Sequence, residues 1–200
     1  MRKRSVLVYA ALLIFFAACN HCQESATSSA TDTLKKVTAL TEGVTVTKTN
    51  FATPTDLANH IMNAIKNNDY SAYTSCLRTK EDIRYIFTHM EMPGTDEKGK
   101  EKMKAMMNNM LEKTAINDSI EAKKAFDGFM QEGEQLKANL KNITFSVMDE
   151  GIGKEMGSET ANTKIAIKEG ANSYETILNF IKAEKGWVIN FAGMMHLSKI

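Results

Sequence analysis

The chain has few of the residues that mark specialised protein classes. Its 200 residues include 3 cysteines, 2 prolines, 11 glycines and 1 tryptophan. So few cysteines exclude a disulfide-rich scaffold, and so few glycines and prolines exclude a collagen-like or low-complexity chain. The longest apolar run, residues 5–18, is shorter than the roughly 18 residues that a membrane-crossing helix needs. With 43% hydrophobic residues, the chain can bury the core of one globular domain.

An excess of charge of one sign is also lacking. The chain carries 25 Lys+Arg against 24 Asp+Glu. Without the three basic residues Arg2, Lys3 and Arg4, 22 basic residues face 24 acidic ones, and the net charge becomes −2. Nucleic-acid-binding proteins usually carry a strongly basic face or tail. We therefore predict no nucleic-acid partner.

The N-terminal residues 1–18 have the anatomy of a signal peptide, a basic start followed by the short apolar run. The run ends Phe-Ala-Ala-Cys19, which resembles the lipobox of bacterial lipoproteins, with Phe16 where leucine, valine or isoleucine is usual. The resemblance implies that Cys19 is diacylated (palmitate) and becomes the new N-terminus. Two or three acyl chains anchor a protein stably where one does not. The expected location is the bacterial cell envelope, on the outer or inner membrane and facing the periplasm.

Residues 19–50 are predicted to be a flexible tether, because they are rich in serine, threonine and alanine. Residues 34–46 are compatible with a short strand or a helical turn. Thr33 lies in an Asp-Thr-Leu sequence that resembles the O-glycosylation site of Bacteroides-type envelope proteins, and is a candidate for that modification. Cys22 either pairs with Cys76 in an oxidising periplasm, stays free or links two copies of the chain, and the sequence leaves these alternatives open.

Residues 51–200 are predicted to form a single domain that begins with helices. Five segments carry apolar residues at helical spacing: 53–66, 70–77, 79–90, 98–113 and 119–140. Thr53 followed by Pro54 and Asp56 predicts a capped helix start, and Thr79 with Asp82 repeats the pattern. The fourth segment carries a stripe of methionines, which favours packing in a core or groove over a Cu(I) site.

After residue 142 the apolar period changes from 3.6 to 2, which predicts strands. We expect strands at 143–149, 160–168, 174–183 and 186–197, separated by turns at 151–153, 168–172 and 183–186. Short turns make neighbouring strands antiparallel. The predicted fold class is α+β, with the N-terminal helices packed on one face of a curved antiparallel sheet of about four strands.

The two ends of this domain resemble the nuclear transport factor 2-like superfamily, also called ketosteroid-isomerase-like or cystatin-like. The carrying motifs are the opening helix that continues into Asn-Asn-Asp-Tyr70-Ser-Ala-Tyr73, and a closing hairpin with Lys-Ala-Glu-Lys-Gly-Trp187. The central residues 96–142 are longer than in the simplest members. The resemblance implies a cone-shaped domain with a pocket between helices and sheet. Its candidate lining residues here are Tyr70, Tyr73, Trp187, Met194 and His196.

Enzymatic members of this superfamily place an aspartate with a histidine or tyrosine inside the pocket. No such pair is visible at a fixed spacing around His60 or His196, so we predict no catalytic residue, metal or cofactor. The expected function is a membrane-tethered envelope lipoprotein that binds a small amphipathic ligand or a protein partner. The alternatives are a structural or homodimerisation module and an isomerase- or dehydratase-type enzyme of the same fold.

Overall fold

Helices come first along the chain and strands follow. The computed structural model describes residues 48–91, 94, 96–190 and 195–200. Cys19, Cys22, Thr33 and the rest of residues 1–47 lie outside the described residues, as does Met194. The described part lies within one unit, Val46–Ile200. Its helices are α1 Pro54–Lys66, α2 Tyr70–Thr74, α3 Lys80–Thr88 and α4 Glu97–Gln135, followed by a 3-10 turn at Leu140–Asn142.

The predicted start of α1 is confirmed. The Thr53 hydroxyl accepts a hydrogen bond from the Asp56 amide at 3.1 Å, and Pro54 occupies the first turn, where its missing N–H costs nothing. Leu57, Ile61 and neighbouring apolar residues form one buried stripe of the helix. This stripe is the face that α1 presents to the sheet.

The capping box of α3 is confirmed as well. The Asp82 amide donates to the Thr79 hydroxyl at 3.2 Å, and the Thr79 amide donates to the Asp82 carboxylate at 2.8 Å. Asp82 is buried, and it also forms an ion pair with Lys48. This pair joins the chain before α1 to the first turn of α3.

The prediction of two separate central helices, 98–113 and 119–140, is wrong. The structure has one helix, α4, of 39 residues. Residues 114–118 contain neither glycine nor proline, so the backbone continues through them without a break. Arg78 binds Asp118 with two hydrogen bonds of 2.8 and 2.7 Å, which fixes this stretch to the segment between α2 and α3.

The described strands form one antiparallel sheet with the order β1-β2-β3-β4. The short strand β5 pairs with the first half of β3, at Tyr174 and Glu175, whereas β4 pairs with its last residues. The strands are β1 Thr144–Glu155, β2 Ser158–Glu169, β3 Asn172–Ala183, β4 Gly186–Ile189 and β5 Ser198–Lys199. An α+β fold with an antiparallel sheet is therefore confirmed. The second and third predicted strands lie within β2 and β3, and the turns predicted at 168–172 and 183–186 are present.

The first and fourth predicted strands need correction. The predicted turn at 151–153 is part of β1, because Ile152 between its two glycines still pairs with Ala161, and the actual turn is Met156–Gly157. Of the predicted strand 186–197, residues 186–189 form β4, residues 190 and 195–197 lie outside any strand, and residues 191–194 lie outside the described residues. Farther along the chain, Met195 and Leu197 are buried although they do not belong to a strand. The alternating apolar pattern shows that residues are buried, but it does not show whether their backbone pairs with another strand.

Helices contact both faces of the sheet, which corrects the expectation of one covered face. Phe180 and Ile189 belong to the large core that includes the buried stripe of α1. Residues next to them in the strands point the other way, and there Ile181, Ala183 and Val188 pack with Ile86 of α3. We call the face toward α1 the front face and the face toward α3 the back face.

No helix among the described residues combines the length and the apolar character needed to cross a bilayer.

Candidate functional site

Three buried hydroxyl groups lie on the front face of the two central strands. Thr163 is on β2, Tyr174 and Thr176 are on β3, and their exposed fractions are 0%, 0% and 2%. Thr163 pairs with Leu178 and Thr176 with Ile165, so the two threonines are diagonal neighbours on one face. Tyr174 is the next residue on this face of β3, and its ring carries its hydroxyl farther from the strand. We call these three residues the hydroxyl cluster.

The hydroxyl cluster lacks the hydrogen bonds that buried polar groups normally make. The hydroxyl oxygens of Thr163, Tyr174 and Thr176 have no partner among the described residues. A buried hydroxyl without a partner costs about 1–3 kcal/mol. Three such groups on one face therefore place a free-energy cost in the core, which a molecule that hydrogen-bonds to them would relieve.

The surroundings of the hydroxyl cluster are apolar. Ile165 and Ile167 lie beside it on β2, and both are fully buried. Helix α1 lies against β1 and β2 and supplies part of the same core. Met195 and Leu197, just before β5, belong to this core as well. An occupant of this region would therefore meet mainly hydrocarbon, with hydroxyls on the sheet side.

The candidate residues Tyr70 and Tyr73 form an aromatic group with Phe126 of α4. Both tyrosine ring centroids lie within 5.4 Å of the Phe126 centroid. Tyr73 is buried and Tyr70 half-buried, and burial raises the pKa of both phenols, most strongly that of Tyr73. Asp127 adds to the increase in the pKa of Tyr70, over whose ring the Lys123 ammonium lies at 5.4 Å. These rings fix α2 to α4.

Trp187 lies at the other end of the sheet from β5. Its amide donates to the Phe51 carbonyl at 2.9 Å, and its indole is only 4% exposed. It shares the main core with Tyr73 and Tyr174. The Lys182 ammonium lies 5.9 Å from the centre of its ring. Its position supports packing at the entry of the chain into the domain.

His196 is paired with a carboxylate that no spacing in the sequence indicates. Its Nδ1 lies 2.9 Å from Oε1 of Glu132 in α4, and Oε2 of Glu132 accepts the Leu197 amide at 2.7 Å. A carboxylate orients an imidazole in many acid–base sites. Here the His196 side chain is 75% exposed, so bulk water reaches the imidazole. The pair fixes the segment before β5 to α4.

His60 contacts the hydroxyl of Ser75, which is a potential nucleophile. The hydrogen bonds of the imidazole, however, do not activate this hydroxyl. Its Nε2 lies 3.1 Å from the Ala72 carbonyl, which only accepts, so Nε2 carries the proton. The Ser75 hydroxyl donates to the same carbonyl at 2.7 Å. A nitrogen that carries its proton cannot remove one from serine, and the three groups act as a link between α1 and α2.

Strand β1 forms an open edge of the sheet. None of its side chains is buried, and its Met148 and Ile152 are 64% and 61% exposed. The register shifts between Val147 and Asp149, which places Met148 in a bulge. Bulges and charged residues limit uncontrolled pairing at sheet edges.

The predicted site residues therefore do not form one constellation. Tyr70 and Tyr73 pack on α4, Trp187 holds the entry to the domain, and His196 lies on the surface with Glu132. The candidate residues predicted from the sequence do not include the hydroxyl cluster. Its signal was present, because threonine and tyrosine occupy positions of β2 and β3 that the period-2 pattern assigns to the core.

In the described part of the chain, no group of three or more histidine, cysteine, aspartate or glutamate side chains is placed to hold a metal ion.

Comparison of the sequence with protein-family models, with curated proteins and with solved structures finds no match.

Proposed function

We propose that this chain is a lipid-anchored protein of the bacterial envelope whose domain holds a small amphipathic molecule and catalyses no reaction on it. The observation that carries the binding proposal is the hydroxyl cluster, three buried hydroxyls without partners in an apolar core. The lipobox-like sequence before Cys19 supports the anchor. The order of helices followed by an antiparallel sheet supports the resemblance to the nuclear transport factor 2-like superfamily.

The chemistry of the cluster defines the ligand. Hydroxyl groups both donate and accept hydrogen bonds and carry no charge. They suit a neutral polar group, such as a hydroxyl, carbonyl or amide, better than an ion. Ile165 and Ile167 next to the cluster suit an apolar body. The expected ligand is thus a neutral amphipathic molecule with its polar end at Thr163, Tyr174 and Thr176.

The test uses the chain extracted from its own envelope in mild detergent and native mass spectrometry. The wild-type protein is expected to carry an additional small-molecule mass. Thr163→Val and Thr176→Val keep the side-chain volume and remove the hydroxyl. Each is expected to reduce ligand occupancy at least tenfold. Each is also expected to raise the stability of the ligand-free protein by about 1–3 kcal/mol, because an unpaired buried hydroxyl is gone.

Thr160→Val is the matched control. Thr160 lies on the same strand and is 8% exposed, but it pairs with Ile181 of the back face. Its substitution is expected to leave ligand occupancy unchanged. A wild-type protein with no bound molecule, or occupancy that is equal in Thr163→Val and Thr160→Val, would contradict the proposal.

A second candidate function, a homodimerisation module, is favoured by the open edge of β1 with its exposed Met148 and Ile152. Two copies pairing through β1 would continue the sheet across the dimer. The same native mass spectra report it as a mass of two copies. Ile152→Lys is then expected to restore the monomer, and a wild-type monomer excludes this candidate.

A further inference from the structure

The N-terminal part of α4 has no buried side chain among those that the structure describes. In residues 97–110, no described side chain is buried, and Leu111 is the first of the helix's described side chains to be buried. Met106 and Met110 are 46% and 41% exposed. An isolated helix of this length is marginally stable in water, and helices in proteins usually gain stability by packing an apolar face. This segment, residues 97–110, is called the α4 arm below.

The α4 arm has an apolar stripe bordered by lysines. Methionines occupy positions 103, 106, 107 and 110, which at 3.6 residues per turn fall within about 100° of one another around the helix. Lys100 and Lys104 follow on one side of the stripe, and Lys98 and Lys102 on the other. Glu101 lies opposite. The ion pair of Lys100 with Glu97 is exposed, and exposed ion pairs add little to the stability of a helix in water.

We propose that the α4 arm lies on the surface of the membrane, with the exposed Met106 and Met110 against the acyl chains and its lysines at anionic lipid headgroups. Lysines that border an apolar stripe extend their ammonium groups to the headgroups while their stems cover hydrocarbon. Each lysine close to an anionic surface strengthens the binding further.

The charge pattern selects a lipid surface over a second copy of the chain. The described side chains of the arm present lysines on both sides of the stripe, so two arms packed together would bring like charges close. An anionic bilayer has the opposite charge along the whole length of the arm. The proposed lipid at Cys19, on which this proposal partly rests, would hold the arm at a high effective concentration near the membrane.

The experiment places a fluorescent reporter on the arm of the full chain. Met106→Trp is reconstituted from envelope extracts into vesicles of brominated phosphatidylglycerol and phosphatidylethanolamine, and quenching of tryptophan emission is measured. Native Trp187 is 4% exposed and supplies a constant background. Ile177→Trp on the back face of β3, 50% exposed, is the matched control. We expect the vesicles to quench the tryptophan at position 106 and not the one at position 177. Vesicles of brominated phosphatidylcholine alone, which carry no net charge, are expected to quench position 106 at most half as much as the anionic vesicles do.

A second measurement avoids the introduced tryptophan. Amide hydrogen exchange of residues 97–110 in the unmodified chain is expected to slow at least tenfold in anionic vesicles, and the variant with Lys98, Lys100, Lys102 and Lys104 all changed to glutamate is expected to lose this protection. Vesicle-bound protein without quenching or protection at the arm would overturn the arm's contact and leave the lipid tether intact. Protein that does not associate with vesicles would overturn both. Protection that depends on protein concentration would assign the arm to self-association and overturn the membrane contact.

Discussion

At the scale of single residues, Gly157 holds the β1–β2 hairpin against the end of α3. Its φ is +90°, and a Cβ there would lie 2.9 Å from the His89 carbonyl oxygen and from the Glu91 amide nitrogen. The Glu91 amide donates to the neighbouring Met156 carbonyl at 2.6 Å. Gly157→Ala therefore meets both backbone strain and a clash. We expect a loss of more than about 1 kcal/mol of unfolding free energy in chemical denaturation.

Gly128→Ala is the control for that prediction. Gly128 lies within α4, and a Cβ there would have no atom within 4 Å. The substitution is expected to stabilise the protein by about 0.5–1 kcal/mol, because alanine loses less backbone entropy in a helix. Equal effects of the two substitutions would contradict the assigned turn geometry.

Cys76 is expected to be chemically inert in the folded protein. Its side chain is fully buried, and burial raises the pKa of the thiol to about 12, although the Ser75 hydroxyl acts in the opposite direction. Since the thiolate is the reactive form, alkylation of Cys76 at pH 8 is expected to be at least about a hundredfold slower in the native chain than in denaturant. Peptide mass spectrometry after iodoacetamide treatment measures this rate. Rapid native labelling of Cys76 would show that the segment after α2 opens.

At the scale of elements, the capping box of α3 can be tested in isolation from packing. Thr79→Ala removes the hydroxyl that accepts the Asp82 amide, and about 1 kcal/mol of stability is expected to be lost. Thr79→Ser keeps the hydroxyl and is expected to retain most of that stability. Thermal or urea unfolding measures both variants. A serine variant as unstable as the alanine variant would attribute the effect to the threonine methyl group.

The sequence predicts helix starts better than it predicts where elements end or continue. Thr53 and Thr79 are local signals, because each hydroxyl satisfies an amide three residues away. The middle of α4 is held by Arg78, which lies 40 residues from its partner Asp118. The extension of β1 through two glycines depends on pairing with β2. These features depend on contacts between residues that are far apart in the sequence, and the periodicity of apolar residues carries no information about such contacts.

At the scale of the whole molecule, the burial of Tyr73 is expected to make the stability fall at alkaline pH. Burial raises the pKa of Tyr73 above the ordinary value of 10.0, so the folded chain keeps its proton where the unfolded chain releases it. This contribution is complete below pH 10 and is lost as the pH rises above it. We expect the unfolding free energy to fall as the pH rises from 10 to 11, by up to about 1.4 kcal/mol per pH unit for this one group. Urea unfolding at a series of pH values measures the slope.

Tyr73→Phe is the control for the alkaline loss. It keeps the contact with Phe126 and has no proton to release, so its stability is expected to fall less steeply above pH 10 than that of the wild type. Parallel curves for the two proteins would assign the loss to other groups.

The layout of the molecule follows from the change of period after residue 142, and the α+β class is predictable from it. The placement of α3 on the back face is not, because Ile83 and Ile86 show only that one face of that helix is apolar. The site is predictable in part. The sequence shows that Thr163 and Thr176 occupy core positions, but only the packed structure shows that their hydroxyls have no partners.

The pairing of Phe51 with Trp187 and of β5 with β3 has a mechanical consequence. Phe51 lies beside Trp187 at the Lys182 end of β3, and Ile200 lies beside Ser173, so these points are about 30 Å apart along the strand at about 3.3 Å per residue. A pulling force between them acts parallel to the strands. Antiparallel hydrogen bonds lie perpendicular to that direction, so they resist in shear together and do not unzip one at a time.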